Sequence, residues 1–137
     1  MSVLPMLQAA LATALTDHAP LAGALTAIFD APPVRAARPF AVIDETIVSD
    51  WGTKDMAGVE GRIAILLYDG GERPVRLRTL AGAVDAALDA MPRALGAPSS
   101  AEWRIVSLVP VRSRILREGE GRWTAMAEYR VRMLRSN

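Results

Sequence analysis

The sequence predicts an α+β domain: a mainly antiparallel sheet of four to five strands with two helices packed on it, in the order α-β-β-α-β-β. Three observations carry this. Two leucine-striped segments have helical period, the C-terminal third alternates with period two, and the run Arg62–Tyr68 is apolar on both faces. With 137 residues, 51% of them hydrophobic, the chain suits a single domain over residues 1–137 with one core and no staples.

Leu4, Leu7, Leu11 and Leu15 recur at three- and four-residue steps and predict a helix over 3–16. Ser2 can cap it, Pro5 falls in the first turn, where amides lack intrahelical partners, and Asp17, His18 and Pro20 stop it. Leu21–Asp30 fits a short strand or a second helical turn, and the Pro- and Arg-containing segment to Pro39 reads as an extended linker. Phe40–Val48 is β-rich, with Pro39 where a strand can begin. A loop follows from Ser49, broken by Gly52, Gly58 and Gly61, and it feeds the apolar strand Arg62–Tyr68.

Asp69–Glu72 is a turn, and Pro74 suits a first helical position. Leu77, Leu80, Val84 and Leu88 stripe the second helix, which Met91-Pro92 ends; Arg93–Ala101 is a connector with Gly96, Pro98 and two serines. At the C-terminus Trp123, Ala125, Ala127, Tyr129, Val131 and Met133 alternate with polar or flexible residues, predicting a strand with one buried and one wet face. Trp103–Arg117 is its hairpin partner through the turn Glu118–Gly121, bulged at Pro110 or lying at an edge.

The composition excludes several functions. Cysteine is absent, which removes disulfides, thiolate catalysis and cysteine-ligated metal, and fits an intracellular folding compartment. No apolar run approaches the roughly 20 residues that cross a bilayer, and the N-terminus lacks the basic start of a signal peptide, so no membrane partner is expected. The net charge of +1 gives no reason for non-specific adhesion to nucleic acid. Of the 16 basic residues only Lys54 is a lysine, a bias that a GC-rich genome explains.

No constellation of catalytic residues emerges, and no cofactor or metal is expected. His18 is the only histidine and lies where a helix C-terminus favours a cation. Gly70-Gly71 lacks the Walker lysine and the dinucleotide spacing, so it reads as a turn. Asp85 and Asp89 share the polar side of an amphipathic helix and read as solvated.

Two stretches read as protein interfaces. The loop Asp50, Trp51, Gly52, Thr53, Lys54 and Asp55 carries a Trp in a polar setting, and the stretch from about Ser49 to Gly58 is expected to be mobile in an isolated subunit. Trp51 fits either an interface anchor or a plug folded back on the core. The closing hairpin carries Arg112, Arg114, Arg122, Arg130 and Arg132, which fit a solvated face with cross-strand ion pairs or a protein contact. That hairpin has no interleaved aromatics of the kind a nucleic-acid stacking platform needs.

One family is similar in the order of its elements across nearly the whole chain. The residues that carry the likeness are the Pro-Phe-x-Val-Ile-x-Glu strand (Pro39–Glu45), the Ser-Asp-Trp-x-Thr-Lys loop (Ser49–Lys54) and an apolar strand ending in Tyr68. The chain resembles the tail-terminator or tail-completion proteins of long-tailed phages and of gene transfer agents. It departs from them at Leu67-Tyr68-Asp69, where members often carry Trp-Ser. The resemblance implies a structural virion protein without enzymatic activity, made in the host cytoplasm and seated at the tail–head junction. It further implies a homo-oligomer, usually a hexameric ring, that caps the tail tube protein, meets a head-side connector or stopper and lets DNA pass without sequence-specific binding. The residues also leave open a head-side neck connector or stopper, which shares small size and ring formation, and a small enzyme, for which only His18 and scattered carboxylates speak.

Overall fold

The computed structural model describes residues 3–96 and 102–136, so the expected Ser2 cap and the Pro98 and serine part of the connector lie outside it. The elements in chain order are α1 (Val3–Asp17), α2 (Ala19–Ala22), β1 (Ile28–Phe29), β2 (Phe40–Ile43), β3 (Ile47–Asp50), β4 (Gly58–Gly70), α3 (Val75–Asp89), β5 (Ala94–Leu95), β6 (Trp103–Gly119) and β7 (Arg122–Arg135).

The expected four- to five-stranded sheet with two helices is therefore wrong: seven strands form one mixed sheet, and there are three helices among the described residues. Its path runs β1-β2-β4-β7-β6-β5, with β3 also on β4. The stretch read as one strand, Phe40–Val48, is two. β2 pairs with the end of β4 (Phe40 opposite Tyr68) and β3 with its beginning (Ile47 opposite Arg62), with Asp44, Glu45 and Thr46 between them. There the Asp44 carboxylate accepts from the amide of Glu45 at 2.9 Å, a local bond that competes with the ladder. Strands β1 and β5 have two residues each, too few to leave a periodic trace, and β1 lies parallel to β2. The ambiguous segment Leu21–Asp30 holds the end of the four-residue helix α2 and then β1.

The core lies between one face of the sheet and the helices. The α1 stripe Leu7, Leu11 and Leu15 and the α3 stripe Leu77, Val84 and Leu88 are essentially inaccessible. They meet Ile63, Ile65 and Leu67 of β4 and Ala127, Tyr129, Val131 and Met133 of β7. Directly opposed residues in a ladder point to one side, so the odd-numbered residues of β4 and β7 face the helices together.

Trp123 departs from expectation: it stands on that face but is only partly buried, at the rim, where its Nε1 donates to the Gly71 carbonyl at 3.0 Å. The turn before α3 is tied down at the same point. Gly71 takes φ +123, a left-handed region that a side chain would strain, and its amide donates to Gly121 O at 3.0 Å. Asp69 is buried in that turn and accepts both the Arg76 fork (2.5 and 2.9 Å) and the Gly70 amide (2.8 Å).

Candidate functional site: the uncovered face of the sheet

All the helix packing falls on one side, so the even-numbered residues of β4 and β7 form a second face with no helix over it among the described residues. Register assembles this face in rows. Ser49 of β3, Glu60 of β4, Arg132 of β7 and Ser107 of β6 form one; Ile47, Arg62, Arg130 and Val109 form the next; Ala64, Glu128 and Arg112 follow. Beyond them come Val42, Leu66, Met126 and Arg114, then Phe40, Tyr68, Thr124 and Leu116.

The five hairpin arginines singled out in the sequence, Arg112, Arg114, Arg122, Arg130 and Arg132, thus share one face, together with Arg62, which the sequence reading missed. Two carboxylates organise most of them. Glu60 accepts from Arg132 Nε at 2.8 Å with Arg130 Nε at 3.8 Å, and Glu128 lies between Arg62 (3.3 Å) and Arg112 (3.6 Å). The hydrogen bond from Arg132, with the nearby charges of Arg132, Arg130 and Arg62, holds the Glu60 carboxyl below the usual carboxylate range. Arg114 and Arg122 make no ion pair among the described residues, which leaves the face cationic.

Trp51 joins this charged half. Its amide donates to Gly58 O at 2.9 Å, so it continues β3 by one step and stands on the uncovered face, with the Arg132 guanidinium 5.0 Å from its ring centre. It does not plug the helix-side core. The expected long loop shrinks to a hairpin connection, residues 51–57, because β4 begins at Gly58 and Asp50 belongs to β3. Thr53 N donates to Met56 O at 2.8 Å inside it. Gly52 is required there: a Cβ would stand 2.7 Å from Met56 O and 2.8 Å from the Gly58 nitrogen. Lys54 and Asp55 are exposed at the tip.

The other half of the face is apolar. Phe40 and Tyr68 stack at 4.8 Å, Phe29 meets Phe40 edge-on at 5.7 Å, and Arg38 lies 5.8 Å from the Tyr68 ring centre. Phe40 and Val42 are buried yet stand apart from the helix-side cluster. The sequence placed no aromatic on the wet side of the hairpin; β1, β2 and β4 bring them to the same face. Stacking among themselves occupies their ring faces, unlike a platform that offers faces to bases.

Elsewhere the residues weighed for chemistry are scattered. His18 is the N-cap residue of α2, its carbonyl accepting from Leu21 and Ala22, and it borders an apolar groove of about 830 Å³ between α1 and the end of α3. Asp85 is not simply solvated: it accepts from the Tyr129 hydroxyl, and burial together with that carboxylate pushes the phenol well above its usual range. Asp89 is exposed. Among the described residues no three His, Asp or Glu side chains gather as metal ligands would. What the uncovered face offers is shape and charge: a row of cations with embedded carboxylates, beside a small aromatic cluster.

Two comparisons with known proteins match this architecture. A chain of the solved virion of a native gene transfer agent (GTA) particle superposes with a TM-score of 0.73 at 26% identity, over 98% of this chain and 98% of that one. No curated protein matches. Residues 9–134 match the family described as Tail completion protein gp17, and the chain belongs to that family of structural tail proteins of phage and gene-transfer-agent particles.

Proposed function

We propose that this protein is the tail terminator of a phage-like particle: a ring, six-fold by analogy, that caps the tail tube and joins it to the head-side connector, with DNA passing through its centre. The observation that carries the reading is the agreement of the family match over residues 9–134 with a virion chain that is similar end to end. The uncovered face suits the role. A ring subunit needs broad contact surfaces, and a cationic face free of helices is such a surface. The hairpin arginines and the residues Asp50–Asp55 are the proposed contacts, within the ring and to the tube or connector. The hairpin tip, rooted in two paired strands, is placed to order further against a neighbour.

The test is deletion of the gene in a producing strain, with electron microscopy of the particles. Tails of uncontrolled length, with heads left unjoined, are the expected result. Tails of normal length beside unjoined heads would point to a head-side stopper. Purified protein that binds isolated tubes and leaves portal complexes alone supports the terminator reading.

A further inference from the structure

Building on the ring reading, we infer that neighbouring copies join edge to edge, the β3 edge of one pairing with the β6 edge of the next, so that one sheet runs continuously around the ring. Both edges are open. β3 pairs only with β4, and its outer side, from Ile47 to Asp50, has no strand beside it among the described residues. Among the described residues β6 has an outer partner only from Trp103 to Ile105, where β5 lies and the Ile105 amide donates to the Arg93 carbonyl, so most of its 17 residues have no strand on their outer side. Such rows are templates for another strand.

Three further observations select a second copy as the occupant. The first is direction. Between the edges lie β3, β4, β7 and β6, each antiparallel to the next, and an even number of alternating strands means that β6 and the following copy's β3 also meet antiparallel. Rotation about a ring axis preserves that sense at every junction. The second is apolar exposure. Ile47 is 77% exposed on one edge, while Val106, Val109 and Val111 are 46%, 36% and 42% exposed on the other, and Ile47 and Val109 close the two ends of one row across the sheet. The third is charge. Asp44, Glu45 and Asp50 mark the β2–β3 edge; Arg114 marks the open stretch of the β6 edge and has no ion pair among the described residues. An acidic edge and a basic edge on opposite sides of one subunit attract head to tail and repel like edges, which favours closure over two-fold pairing. The bulges at Ile105/Ser107 and Pro110/Arg112 interrupt β6, but a four-residue partner needs only a short regular stretch.

The chain has no cysteine, so engineered thiols are free of background. Ile47→Cys is combined in one chain with cysteine at Val106, Val109 or Val111 in turn, and each pair is oxidised mildly, both as concentrated protein and in assembled particles. The expected result is a ladder of covalent multimers from at least one pair, resolved on a non-reducing gel. Dimers from Val109→Cys alone would mean a two-fold contact and overturn the inference. Rings seen by native mass measurement or microscopy, with no cross-link from any pair, would overturn it while leaving the terminator reading intact. Single copies under every condition, particles included, would remove the ring itself and the inference with it. A covalent link to the tube protein alone would assign these edges to the tube and overturn the inference. Charge reversal reads the same interface independently. Glu45→Arg and Arg114→Glu should each lower ring yield several-fold, and the two in one chain should restore it; if the pair does no better than either alone, the edges do not meet.

Discussion

At the residue scale, Asp69 shows how a buried charge is held. Its carboxylate is closed in by the Arg76 fork and the Gly70 amide, and Arg76, with help from that amide and from Arg38, keeps its pKa low. A carboxyl with a folded pKa below its unfolded value of about 3.9 contributes stability above that pH and loses it as pH falls through the folded pKa. Arg76→Met removes the fork and leaves the charge nearly alone. Because Arg76 is itself more than half exposed, solvent screens the pair, and the expected result is a modestly lower urea midpoint at pH 7. Urea titrations from pH 7 to 3 should show the difference from wild type narrowing below about pH 4. A difference independent of pH would mean that Arg76 acts through packing alone. Trp51 is the contrasting case. Its ring lies on the surface under Arg132, so Trp51→Ala should cost no more than about 1 kcal/mol in thermal unfolding. Tails carrying that variant should be abnormal in length, and normal tails would take the loop out of the proposed contacts.

At the element scale the helices depend on their stripes. Leu11 has no accessible surface, and Leu11→Ala should destabilise the fold by about 2–5 kcal/mol, measurable as a lower urea midpoint. Trp123 should behave more mildly than its place in the alternation suggests. It is partly exposed at the rim and holds one hydrogen bond to Gly71, so Trp123→Ala is expected to cost about 1–3 kcal/mol. A larger loss would mean that the Gly71–Gly121 corner unravels with it. The central pair β4–β7 is built differently from its neighbours. One face carries the core, and the other carries Glu60, Arg62, Glu128, Arg130 and Arg132 in mutual contact. Reversing Arg130 and Arg132 to Glu would therefore set three carboxylates together at Glu60. The expected product folds with a lowered midpoint and yields no capped tails; capped tails of normal length would clear this row of any role in assembly.

At the scale of the whole molecule, much of the architecture was legible. Both long helices, the turn at Gly70-Gly71 and the β6–β7 hairpin follow from period, from Pro and Gly, and from alternation, because each is fixed by contacts close in sequence. That the hairpin arginines share a side was legible too, since alternation alone assigns Arg122, Arg130 and Arg132 to one face. What the sequence could not decide is which distant strands lie side by side. Two-residue strands owe their existence to a neighbour's ladder, so β1 and β5 have no local signature, and the break at Asp44–Thr46 is visible only when β2 and β3 are seen to share one edge of β4. Pairing also decided the site. Arg62 reads as the start of an apolar strand until β7 is laid beside it, and Phe29, Phe40 and Tyr68 reach the arginine face only through the order β1-β2-β4-β7. Periodicity determines which face of an element is buried; long-range hydrogen bonding, which costs chain entropy and leaves no local trace, determines what the other face becomes.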